Sequence, residues 1–239
     1  MMKSLPLTKA LLPGALAAVA VFATPAFAAD HRDGDAVKVM ADIPADINDV
    51  FAFMDADNVI LGMTVHPAAD ANSDFSDAVV YQFHVNKHPA FLGASAGTTD
   101  VMCTFETAGT LECWVEDVDY ATGPTDDTAG AESVNGMFRV FAGLRADPFY
   151  FNLLGFNAAR AAVIAAAPGL MMFEAGCPLV DATTIGAVRG LLVADDMVAD
   201  NFFDALNTLA IVIEADPALF VDVDNPVMTV WASTNRLGN

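Results

Sequence analysis

The chain has 239 residues, 55% of them apolar, with 10 Lys+Arg against 31 Asp+Glu and a formal net charge of −21. A surface this acidic repels nucleic acid and anionic lipid and attracts a cation or a basic protein partner. So large an apolar fraction excludes disorder and suits one domain with a full hydrophobic core.

Residues 1–28 read as a cleavable signal peptide. Lys3 and Lys9 give a basic start, an apolar run follows over 11–22, and Ala26-Phe27-Ala28 forms a small-x-small cleavage site before Ala29-Asp30. A membrane anchor needs about 20 apolar residues without helix breakers. This run is shorter and closes at Pro25, so no stable membrane insertion is expected after cleavage. The product, 29–239, is a single acidic β-rich domain exported to the periplasm or secreted, and more acidic still for the loss of both lysines.

Just after the start of the mature chain comes His31-Arg32-Asp33-Gly34-Asp35, and Asp42, Asp46, Asn48 and Asp49 follow within one short segment. Carboxylate and amide oxygens are hard ligands suited to Ca²⁺ or another divalent cation, which makes Asp33, Asp46 and Asp49 the candidate metal ligands. The spacing is not that of an EF-hand loop, and solvated turn aspartates are the plainer account. The almost wholly apolar segment 59–66 predicts a central strand covered on both faces. In 78–85, Val79, Tyr81, Phe83 and Val85 alternate with positions that include Gln82 and His84, the period of a half-buried strand. If these two strands pair, His66 falls about 20 Å from His84, too far for a shared metal. His84 and His88 are not on a helix, and all three histidines read as structural or solvent-exposed.

A hairpin is predicted over 101–115, with Thr107-Ala108-Gly109 as a three-residue loop and Gly109 in the left-handed position. That register pairs Val101 with Val115, Cys103 with Cys113 and Phe105 with Leu111. The cysteine pair then sits at a non-hydrogen-bonded site where Cα atoms approach to about 4.5 Å, within reach of a disulfide. An oxidising destination favours a Cys103–Cys113 bridge. Cys177 is left over and reads as a small apolar residue.

The segment 120–135, rich in Gly, Pro and Asp, reads as a surface loop. Next, Phe141-Ala142-Gly143-Leu144-Arg145-Ala146-Asp147-Pro148-Phe149-Tyr150-Phe151 places a rare base among aromatics. Arg145 is expected to pair with Asp147 or with an aspartate of the 46–49 cluster. The functional alternative makes it an anion clamp in a cleft lined by Phe149 and Phe151. Helices are predicted over 158–167, capped by Asn157, and over 197–206. Strands at 209–213 and 227–232 complete the chain. Strands first, helices inserted later and a closing strand point to a mainly antiparallel β-sandwich with a few inserted helices; a closed β-barrel is the alternative.

No nucleophile elbow, P-loop, dinucleotide fingerprint, HExxH or CxxC is present. Four segments in order, Asp30-His31-Arg32-Asp33, Ala45-Asp46-Ile47-Asn48-Asp49-Val50-Phe51-Ala52-Phe53, Phe141 to Phe149, and Val230-Trp231-Ala232-Ser233-Thr234, resemble the exported bacterial family named domain of unknown function 4331. The resemblance spans nearly the whole mature chain. Where the family's usual first motif runs Ser-His-Arg-Glu-Ala-Pro, this chain keeps His31 and Arg32 but replaces the rest with Asp33-Gly34-Asp35. The resemblance implies export and a shared fold and carries no catalytic residues. The chain therefore reads first as a non-enzymatic binding or structural β-domain for a cation, small ligand or surface partner. His31, Asp33, Asp46, Asp49, Arg145 and Asp147 form its expected site. The second reading is a metal-assisted hydrolase in which the same carboxylates and His31 hold a water-activating ion.

Overall fold

Period-two alternation builds two sheets whose apolar sides face one another. The computed structural model describes residues 41–106, 109–169, 171–172, 176, 178–193 and 199–237. The strands are β1 Ile47–Asp55, β2 Asn58–Val65, β3 Val79–His88, β4 Gly97–Glu106, β5 Thr110–Val115, β6 Asp119–Pro124, β7 Ala131–Glu132, β8 Phe138–Ala146, β9 Met171–Met172, β10 Pro178–Leu179, β11 Asn207–Ala215 and β12 Val227–Arg236. One sheet runs β1-β2-β11-β8-β7 and the other β12-β3-β4-β5-β6, both antiparallel, with β9 and β10 as a separate ribbon. Among the described residues both large sheets are open at their edges, so the architecture is the sandwich and not a closed barrel. Its core interleaves Leu61, Met63, Ile211 and Ile213 of the first sheet with Tyr81, Phe83, Val101 and Leu111 of the second. Each such side chain contributes about 1.5–3 kcal/mol through burial.

β2 lies between β1 and β11 and is buried from Leu61 to Val65 without a break, as its continuous apolar run predicts. The β4–β5 hairpin has the predicted register, with Cys103 opposite Cys113 and Glu106 opposite Thr110. Gly109 adopts φ +75, and its N–H donates to Glu106 O at 2.9 Å. Cys103 and Cys113 form a disulfide with Cα atoms 4.2 Å apart. Thr107, Ala108 and Cys177 lie outside the described residues, as do the expected signal peptide, His31 and Asp33.

Several expectations are corrected. β2 and β3 do not pair; they belong to opposite sheets, and the chain leaves β2 through His66 and Ala68, both at positive φ. The first helix, α1, spans Leu153–Ala166 and starts before Asn157, because the Asn152 side chain accepts from Gly155 N and caps it there. The second, α2, is Ala182–Leu192, capped by Asp181 accepting from Thr184 N. Its Thr183, Thr184 and Ile185 have modest helix propensity, which hides it from a propensity reading. Of the helix expected over 197–206, residues 199–206 instead form an irregular segment with turns, in which Phe203 is buried. The expected loop at 120–135 includes all of β6 but its first residue, and the whole of β7.

Candidate functional site

The acidic positions meet at one end of the first sheet, where β1 and β11 begin and β2 and β8 end. A register irregularity between Ile47 and Asp49 places Asp49 opposite Thr64. Asp49 and Thr64 thereby occupy the outward side of the sheet, since Met63 and Val65 face the core. Thr64 Oγ accepts from Asp49 N at 3.1 Å and donates to Asp49 Oδ2 at 3.4 Å. The extra residue, Asn48, donates from Nδ2 to Thr208 Oγ at 2.9 Å, and Thr208 donates to Val65 O at 2.6 Å. His66, at φ +60, turns the chain away from β2. Its N–H donates to Asp46 O at 3.1 Å, tying Asp46 to the same corner.

Asp147 arrives from the end of β8, where its N–H donates to Leu206 O at 3.0 Å and its Oδ1 accepts from Phe149 N at 2.9 Å. Asp46 and Asp147 are each only 8% exposed, and Thr64 and Thr208 are buried beside them. Among the described residues, two acceptor atoms here are buried without a donor: Asp147 Oδ2 and Asn48 Oδ1. Burial pushes the Asp49 carboxyl above the ordinary carboxylate range, the nearby Asp147 charge pushes it further, and the Thr64 hydrogen bond opposes both. Around Asp49, Asp147 and Asn48, the described residues therefore carry more negative charge and lone pairs than donors. Such a recess favours a cation or a proton that several oxygens can share.

The structure thus brings Asp46, Asp49 and Asp147 to one corner. Arg145, two residues before Asp147 in the chain, forms no ion pair with any of the three among the described residues. Its guanidinium lies over the Phe141 ring, 3.8 Å from the centroid, and Nη1 donates to Leu144 O at 2.8 Å. The expected ion pair with Asp147 or the 46–49 aspartates is absent among the described residues, because the flat guanidinium is held on the aromatic face instead. Phe149 and Phe151 pack with Phe203 and Phe156 in an aromatic cluster at the helical insertion.

Thr64 and Thr208 were not among the expected site residues. Their signal is a hydroxyl at an outward position of an otherwise apolar strand. A separate cavity of about 430 Å³ is lined by Asp42, Ser76, Phe105, Glu106, Asp126 and Arg236, among others; of the expected residues that are described, Asp46, Asp49, Arg145 and Asp147, none lines it. His84 and His88 lie on the other sheet. Among the described residues no group of three or more His, Cys, Asp or Glu converges as a metal centre, and no helix is long and apolar enough to cross a membrane.

No family model, curated protein or solved structure matches the chain.

Proposed function

We propose that this chain is an exported binding domain of the family named domain of unknown function 4331, and that the acidic recess holds a divalent cation in a non-catalytic role. The observation that carries the reading is Asp147 Oδ2, buried in a nine-tenths covered residue and without a donor among the described residues. A bound cation supplies the missing partner. Asp49, Asp147 and the Asn48 amide oxygen are the proposed ligands; they are all oxygen donors, which suit Ca²⁺ or another hard ion with water completing the shell. Export is supported by the Cys103–Cys113 bridge, a bond that persists in oxidising compartments.

Thermal unfolding of the mature chain after chelation, with Ca²⁺, Mg²⁺, Zn²⁺ and Cu²⁺ restored singly, tests this. An ion at 100 times its Kd adds about 2.7 kcal/mol, a rise of several degrees. Asp147→Asn and Asp49→Asn should each abolish the rise. Without any ion, Asp49→Asn should leave the protein equally or more stable, because it removes a buried like-charge repulsion. A midpoint insensitive to every ion would exclude the cation and point to an organic or protein ligand.

A further inference from the structure

The outward face of the second sheet carries an array independent of the recess. In the order β12-β3-β4, Trp231 is registered opposite His84 and His84 opposite Asp100. Ser233 lies opposite Gln82, one diagonal step from His84. His84 Nδ1 is 2.7 Å from Asp100 Oδ1, and His84 Nε2 is 2.9 Å from Ser233 Oγ. With the Nδ1 proton donated to the carboxylate, Nε2 is left as the acceptor for the Ser233 hydroxyl. The indole of Trp231 stacks on the imidazole at 3.7 Å between centroids and 17° between planes, fixing the ring. The Asp100 backbone is fixed in turn, its N–H donating to Glu116 Oε1 at 2.7 Å.

A fourth group completes the set. Asn235 Nδ2 donates to Ser233 Oγ at 2.8 Å and to Gln82 Oε1 at 3.1 Å. It is an amide donor held beside the hydroxyl, where an oxyanion would form once that oxygen bonds to carbon. Ser233 is partly exposed, while the His84 side chain is only 13% exposed. The nucleophile is therefore reachable and its base is shielded. Carboxylate, imidazole and hydroxyl in this order are recognised by geometry and role, whatever the fold or chain order.

We propose that Ser233, His84, Asp100 and Asn235 form a hydrolytic site for small carboxylic esters. Ser233 Oγ bonds to the ester carbonyl carbon as its proton passes to His84 Nε2, and Asn235 Nδ2–H donates to the oxyanion. The carbon–oxygen bond to the leaving group then breaks, and the alkoxide takes the proton from His84 and departs as the alcohol. Water, losing a proton to His84, attacks the acyl-serine; the acid leaves and that proton returns to Ser233. Asp100 positions the imidazole throughout. The exposed part of Trp231 offers apolar contact to an acyl or alcohol group. Asp100 and Glu116, on a chain of formal net charge −21, select neutral or cationic esters over anionic ones.

The test uses the full mature chain with p-nitrophenyl acetate and butyrate, together with a fluorophosphonate probe and peptide mapping. The expected result is turnover with the probe on Ser233. Ser233→Ala should remove both, His84→Gln should suppress labelling, and Asn235→Ala should lower kcat about 100-fold or more with little change in KM. Thermal unfolding of each variant separates loss of chemistry from loss of fold. Probe absent from Ser233, labelling that survives His84→Gln, or turnover that survives Ser233→Ala would each overturn the assignment. None of these readouts depends on a cation in the recess, so the two readings fail separately.

Discussion

Asp119 shows how a single buried carboxylate governs part of this fold. It is 6% exposed and accepts from Ser133 Oγ at 2.6 Å, Asn135 N at 2.9 Å, Met137 N at 3.2 Å and Tyr120 N at 2.9 Å. Burial alone would raise its pKa, but these donors outweigh it and hold the carboxyl below its ordinary value. A lowered folded pKa means that the ionised group stabilises the fold above the unfolded value, about 3.9, and that this contribution is lost as pH falls through the folded one. Asp119→Asn puts an amide where donors converge and should cost about 2–3 kcal/mol at pH 7. Thermal melts of both proteins between pH 7 and pH 2 check this: the gap should be constant above about pH 5 and narrow below about pH 4. A gap unchanged at pH 2 would mean that the loss comes from packing alone.

Among the elements, the β1–β2 hairpin has an avoidable cost. Asp55 and Asn58 close a two-residue turn in which Ala56 adopts φ +49, a left-handed conformation that costs an L-residue about 1–2 kcal/mol. Ala56→Gly relieves that strain at some expense in unfolded-chain entropy. The net gain should be up to about 1 kcal/mol, or roughly 2–4 °C in the melting midpoint; a fall in the midpoint would show the alanine methyl to be worth more than the strain. The elements also show what periodicity reveals. The β4–β5 hairpin and its disulfide were legible because one short loop fixes register over the whole pair. The acidic recess was legible as a list of aspartates but not as a place, since β2 and β11 stand between β1, which carries Asp49, and β8, which leads to Asp147. Arg145 misled because charge counting predicts a carboxylate partner, while the Phe141 ring is local and closer. The Ser233, His84 and Asp100 array left no motif at all. Its members come from β12, β3 and β4, and no local spacing records the order in which strands join a sheet.

At the scale of the molecule, the sandwich separates its two polar arrays. The recess lies at one end of the first sheet, the histidine array on the outward face of the second, and a continuous apolar core fills the space between them, about 10 Å thick as sheet packing requires. Changes far apart with no shared partner should add in stability, so a variant at one array reports on that array alone. The Cys103–Cys113 bridge acts on the whole unit instead. It joins adjacent strands across a sequence separation of 10, and closing so short a loop in the unfolded chain is worth about 2.5–3 kcal/mol in the chain-entropy account. Both sulfur-bearing residues are fully buried, so reductant acts mainly through the unfolded ensemble. Melting with and without dithiothreitol should therefore lower the midpoint by roughly 5–10 °C, while refolding under reducing conditions still yields the sandwich, because its core is large without the bridge. Failure to refold when reduced would mean that the hairpin must be locked before the second sheet assembles around it.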